Sequence, residues 1–211
     1  MRRALIGLAA AALTLLALAG PASAASAQVT QFHFRGTFAN GLWVTSSATQ
    51  FTITTIGVSE STQGSELFAD RFVIDEDATG AFTGATDTTV HVTSGFSFNI
   101  SQPLVSATAT GTGLPATTCT YDANIVLIGC SATTIDLAAA WTGQGPIDRG
   151  VSNSHFKVDG FSETSHSNGT ERDATATGTF GSATLSPDDL QFANLGTTNS
   201  GFVAICIGTS C

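Results

Sequence analysis

Four histidines, four cysteines and one run of acidic residues are the groups whose types and spacing could do chemistry. His33, His91 and His155 each alternate with apolar residues, which places them on the polar faces of strands; His166 lies in a polar stretch. An imidazole beside a carboxylate can act as a general base or hold a metal. His91 and His155 are the candidates for such a role, because they occupy matching positions in two similar stretches. Two histidines without fixed spacing do not define a metal centre, so neither a metal nor a cofactor is expected. Asp75-Glu76-Asp77 lacks the spacing of a calcium loop and reads as an acidic hairpin tip. Gly95-Phe96-Ser97 and Gly160-Phe161-Ser162 lack the second glycine of a nucleophile elbow.

The cysteines are Cys119, Cys130, Cys206 and Cys211, and four allow three pairings. The local pairs 119–130 and 206–211 are expected: the first brackets a hairpin, and the second closes a short loop. C-x-x-C spacing for zinc or redox work is absent. An oxidising compartment agrees with the N-terminus. Arg2 and Arg3, an apolar run from Ala4 to Ala19, a break at Gly20-Pro21 and two A-x-A sites make residues 1–27 a secretory signal peptide. The mature chain, residues 28–211, is then a single extracellular domain with no transmembrane helix.

Positioning of these groups falls to strands. Phe32, Phe34 and Phe38 share one face of the first. Val90, Val92, Phe96, Phe98 and Ile100 share another, and Ile135, Leu137, Ala139 and Trp141 a third. Asn40-Gly41 reads as a hairpin turn and Gly113 to Pro115 as a second turn. Ser186, Pro187, Asp188 and Asp189 read as the capped start of a short helix that Gly196 ends. About a dozen short strands predict an all-β, antiparallel sandwich or flattened barrel. Ile74-Asp75, Ala81 to Gly84, His91, Gly95 to Ser97 and Ala107 to Thr112 recur in order between Ile135 and Thr179, which predicts two related halves, residues 74–112 and 135–179.

Seven Lys plus Arg stand against sixteen Asp plus Glu, a formal charge of −9 that becomes −11 without Arg2 and Arg3. That balance excludes a nucleic-acid footprint and a polybasic membrane patch. Few lysines and many alanines suggest a bacterial source. The stretches WTGQGPIDR, HFKVDGF and NGTERDATATGTF resemble an uncharacterised group of exported bacterial all-β proteins with a W-T-G-x-G-P turn. The resemblance implies the exported all-β reading and no activity.

The expectation is a secreted, non-enzymatic binding or surface-interaction module for a protein, glycan or small ligand. The alternative is a secreted hydrolase using His91 or His155 with nearby carboxylates. Two lesser readings remain. The rows Thr108, Thr110, Thr112 and Thr175, Thr177, Thr179 could serve ice binding, and exported alternation also fits an outer-membrane-type barrel. Trp141, on an apolar row and matched by Phe82 in the first half, is expected in the core.

Overall fold

The computed structural model describes residues 28–158 and 161–207. The expected signal peptide, Gly160 and Cys211 lie outside them. The chain is all-β. In order it forms β1 (Gln28–Ser46), β2 (Gln50–Ser61), β3 (Gly64–Glu76), β4 (Phe82–Val92), β5 (Phe96–Ile100), β6 (Ser106–Tyr121), β7 (Leu127–Gly143), β8 (Asp148–Val158), β9 (Phe161–Phe180), β10 (Ala183–Leu185) and β11 (Leu190–Ile207). The residues fall into two compact units, and β1, β8, β9 and β11 supply residues to both. The larger unit is Phe34–Gly150 with Gly169–Asn199.

In the larger unit the strands pair in the order β9, β11, β1, β2, β3, β4, β6, and β7 pairs with both β6 and β9. This last double pairing closes the sheet into a ring of eight strands. β5 extends β4 along β6: it faces residues 107–111, whereas β4 faces residues 116–121. A barrel of this size has an interior that side chains can fill. Alternation decides which ones. Ala39 and Trp43 on β1 point the same way as Thr52, Thr54, Ile56 and Val58 on β2, and Leu67 and Ala69 on β3 continue that face. Leu137, Ala139 and Trp141 on β7 and Ala176 and Phe180 on β9 supply it from the other side. Large rings therefore sit among alanines, as a narrow barrel requires.

Two expected turns are strand interior, for a reason of packing. At Asn40-Gly41 the chain runs straight on, and β1 turns only at residues 47–49. A Cβ on Gly41 would lie 2.4 Å from Cη2 of Trp43, so this glycine makes room for an indole and not for a bend. Gly113 and Pro115 likewise lie within β6, at a register shift between Gly111 and Leu114. There Gly113 has φ +60°, and its N–H donates to Oδ1 of Asp136 at 2.7 Å. Glycines that tolerate such contacts let the strands run longer than expected, up to the twenty residues of β9.

The expected C-terminal helix is a single 3-10 turn, Pro187–Asp189. Ser186 does cap it, its hydroxyl accepting from the N–H of Asp188 at 3.2 Å. From Leu190 onward, however, the chain pairs as β11. Gly196 ends nothing: it sits mid-strand under Phe38, whose ring would lie 2.1 Å from an added Cβ.

The smaller unit contains the start of β1, Val151–Asn168 and the chain from Ser200. β8 pairs with β9 there. Hydroxyls and amides join its strands: Ser154 Oγ meets Ser165 Oγ at 2.7 Å, and Asn168 donates to Ser200 at 2.9 Å.

Candidate functional site

The interior of the ring is apolar except at one end. There a cavity of about 30 Å³ is lined by Trp43, Thr45, Thr52, Thr54, Arg71, Ala183, Thr184, Leu185 and Asp189. The strand registers explain the set. Trp43 lies opposite Thr54, Thr45 opposite Thr52, and Thr54 opposite Arg71, so all five face inward together. The segment from β10 to the 3-10 turn brings Leu185 and Asp189 over the same end. Trp43 is buried, and its indole N–H has no hydrogen-bond partner among the described residues. Arg71 is half-buried and makes no ion pair or side-chain hydrogen bond among the described residues. A guanidinium and an indole N–H left without acceptors inside a barrel end are uncommon, because native interiors satisfy such groups. The sequence carried a signal for this site: Leu67, Ala69, Arg71 and Val73 form one row, and the charge interrupts it.

The histidine candidates lie elsewhere. His91, in the larger unit, does meet an acid: its Nε2 is 2.6 Å from Oε1 of Glu66. The pair sits on the outer face of β3 and β4 with side chains 37% and 49% exposed, beside the ring of Phe68. His155 belongs to the smaller unit, where Nδ1 is 3.0 Å from Oγ1 of Thr164 and no acid is among its partners. His166 bonds to Asn153. Among the described residues no group of three or more His, Cys, Asp and Glu is placed to hold a metal. Asp77 is accounted for by its own turn. Its carboxylate accepts from Thr79 Oγ1 and from the N–H groups of Ala81 and Thr79, and these bonds hold its pKa below the ordinary value.

Among the described residues one carboxylate is shifted upward, Asp70, and it lies outside the cavity. Burial, reinforced by the neighbouring Asp87, pushes Asp70 up to about 7, and the Thr89 hydroxyl at 3.0 Å opposes this only in part. Asp87 keeps one buried carboxylate oxygen without a partner among the described residues; a proton on Asp70 offers the donor it lacks. The native state then holds a proton that the unfolded chain releases at its ordinary carboxylate pKa. Stability should therefore fall as pH rises between those two values and level off above the higher one. The urea midpoint should be higher near about pH 4.5 than near about pH 8, and Asp70→Asn should flatten that slope. A wild-type midpoint that does not fall over this interval would contradict the assignment.

Two surface features complete the inventory. The threonine rows come onto one outer face: Thr108 and Thr177 flank Ala140, and Thr110 and Thr179 flank Ala138. At the other extreme of polarity is the hairpin joining β6 to β7. Cys119 and Cys130 are disulfide-bonded at directly paired positions; the 206–211 pair involves Cys211 and lies outside the described residues. Beyond the bridge Asp122 organises the tip. Its carboxylate accepts from Val126 N at 2.9 Å and Asn124 N at 2.8 Å, which hold its pKa below the ordinary value. Those bonds leave Ile125, Val126, Leu127 and Ile128 exposed by 74, 58, 52 and 68%. The bracketing cysteines were legible in the sequence, and four consecutive large apolar residues between them are the signal for the exposed tip.

No helix among the described residues is long and apolar enough to cross a membrane. Compared with family models, curated proteins and solved structures, the chain matches none.

Proposed function

We propose that the protein is a secreted surface-interaction module that docks through the tip of the β6–β7 hairpin onto an apolar cleft of a partner protein. One observation carries this reading: four consecutive large apolar side chains, Ile125 to Ile128, stand in solvent on a turn braced by a disulfide and an aspartate. Single exposed apolar residues are ordinary, but a contiguous run marks an interaction site. Bracing matters because a tip ordered before contact loses less conformational freedom on binding. A protein cleft suits the tip better than lipid. The chain is strongly acidic, and no lysine or arginine flanks the four residues to meet anionic headgroups. Nor does the ring resemble a membrane-spanning barrel: tryptophans and leucines fill its inside, while threonines stand outside on β6 and β9.

The test is to replace Ile125 and Ile128 together by serine and follow the protein in the cells that export it. Wild type should be retained with the cell-surface fraction. The double variant should pass to the medium at least about tenfold more, with an unchanged urea midpoint, since exposed side chains contribute little to folding. Equal partitioning of the two proteins would remove the tip from the function. Retention of wild type by protein-free vesicles of the same lipids would replace the protein partner with a membrane.

A further inference from the structure

We infer that the cavity at the end of the barrel is a binding site for a monocarboxylate, whose carboxylate group pairs with Arg71. The inference is independent of the hairpin tip. Three observations converge on it. First, Arg71 points into the barrel end and has no anion within ion-pairing distance among the described residues, although Asp189 lines the same cavity. A charge taken partly out of water without a partner costs stability, so its retention asks for a function. Second, the indole N–H of Trp43, a residue only 1% exposed, is buried without an acceptor among the described residues. Third, Thr52 and Thr54, 6% and 2% exposed, offer hydroxyls that make no hydrogen bond among the described residues. The residues lining the cavity thus carry donors that have no acceptors among the described residues.

Size and charge select the ligand class. About 30 Å³ has room for roughly two waters, or for the three heavy atoms of a carboxylate with the remainder of the molecule directed outward. A phosphate or sulfate is bulkier and brings more negative charge beside Asp189. The flat guanidinium fork matches a planar carboxylate with two parallel hydrogen bonds. Neutral hydroxyls from the threonines can complete the remaining lone pairs without overcharging the site, beside the Trp43 ring. Asp189 repels any second negative charge, which restricts the ligand to one carboxylate near the cavity.

Acetate is the probe, titrated into the full-length mature chain at constant ionic strength, with acetamide, methylammonium and chloride as controls. The readout is the pair of indole N–H resonances, one for each tryptophan. Acetate should shift the Trp43 resonance saturably and leave that of Trp141 in place; the three controls should not. Arg71→Met should abolish the response. It should also leave the protein at least as resistant to urea as wild type, because it removes an unpaired charge and keeps the apolar stem. Arg71→Lys, which retains charge but not the fork, should weaken acetate by about tenfold. Asp189→Asn should tighten it several-fold. No saturable shift, an equal shift with acetamide or chloride, or a shift that persists in Arg71→Met would each overturn the inference. None of these results bears on retention at the cell surface, so the two proposals fail separately.

Discussion

Replacing Trp141 by alanine should lower the unfolding free energy by about 3–5 kcal/mol, the cost of emptying a large buried aromatic site. The indole is 1% exposed. It projects from β7 into the ring, and its Nε1 donates to the backbone carbonyl of Asn40 on β1 at 2.9 Å. Going round the sheet, β7 and β1 are separated by β9 and β11. The side chain therefore spans the interior and ties together strands that do not pair. Its neighbours cannot fill the space it would leave, since Ala107 and Ala176, its partners in register, are already small. Trp141→Phe should be far milder. It keeps most of the volume and forfeits one hydrogen bond to a buried carbonyl, about 1 kcal/mol. Urea midpoints of the two variants against wild type test this, and an unshifted midpoint for Trp141→Ala would take the residue out of the core.

Removing the Cys119–Cys130 bridge, by alanine at both positions, should cost about 2–4 kcal/mol. The bond spans a sequence separation of 11 between residues that already face each other across β6 and β7. The native hairpin loses little when the bond goes, because fourteen paired positions hold it in register. The unfolded chain gains the freedom of an open loop, and the equilibrium moves toward it. The urea midpoint should drop while the far-ultraviolet signal of the folded state stays unchanged, since the strands remain paired. A reductant should lower the wild-type midpoint at least as far, since it also opens the disulfide at Cys206. A double variant as stable as the parent would show that the unfolded hairpin is constrained by something else.

How much of this was legible beforehand depended on distance along the chain. Alternation is local. It is enough to place Ile135, Leu137, Ala139 and Trp141 on one face and to give an antiparallel all-β chain, and the structure has both. The hairpin bracketed by Cys119 and Cys130 is local too. Glycine is ambiguous without its neighbours in space. Gly41 and Gly196 read as a turn and a helix end, yet each lies in a strand beneath an aromatic ring, from Trp43 two residues on and from Phe38 on another strand. The cavity was hidden for the same reason. Arg71 could be seen to interrupt an apolar row, but Trp43, Thr52 and Asp189 meet it only once the ring has closed. Similarly, the hairpin bracketed by the cysteines does not by itself show that Ile125 to Ile128 stand uncovered at its tip.

The straight path of β1 through Asn40-Gly41 also bears on how the molecule ages. An asparagine followed by glycine is the dipeptide most open to spontaneous deamidation, in which the glycine nitrogen attacks the side-chain amide and closes a five-membered imide. That attack requires the backbone to fold back on itself. Here it is extended, locked in register with Gly57 and Ile56 of β2, while the Asn40 amide donates to Oδ1 of Asn194 at 3.1 Å. The folded protein thus keeps a chemically fragile bond in its least reactive geometry. The new negative charge and rearranged backbone that deamidation of Asn40 leaves would accumulate only in molecules that have opened, so the isoaspartate content at position 40 of an old preparation is a record of its time spent unfolded.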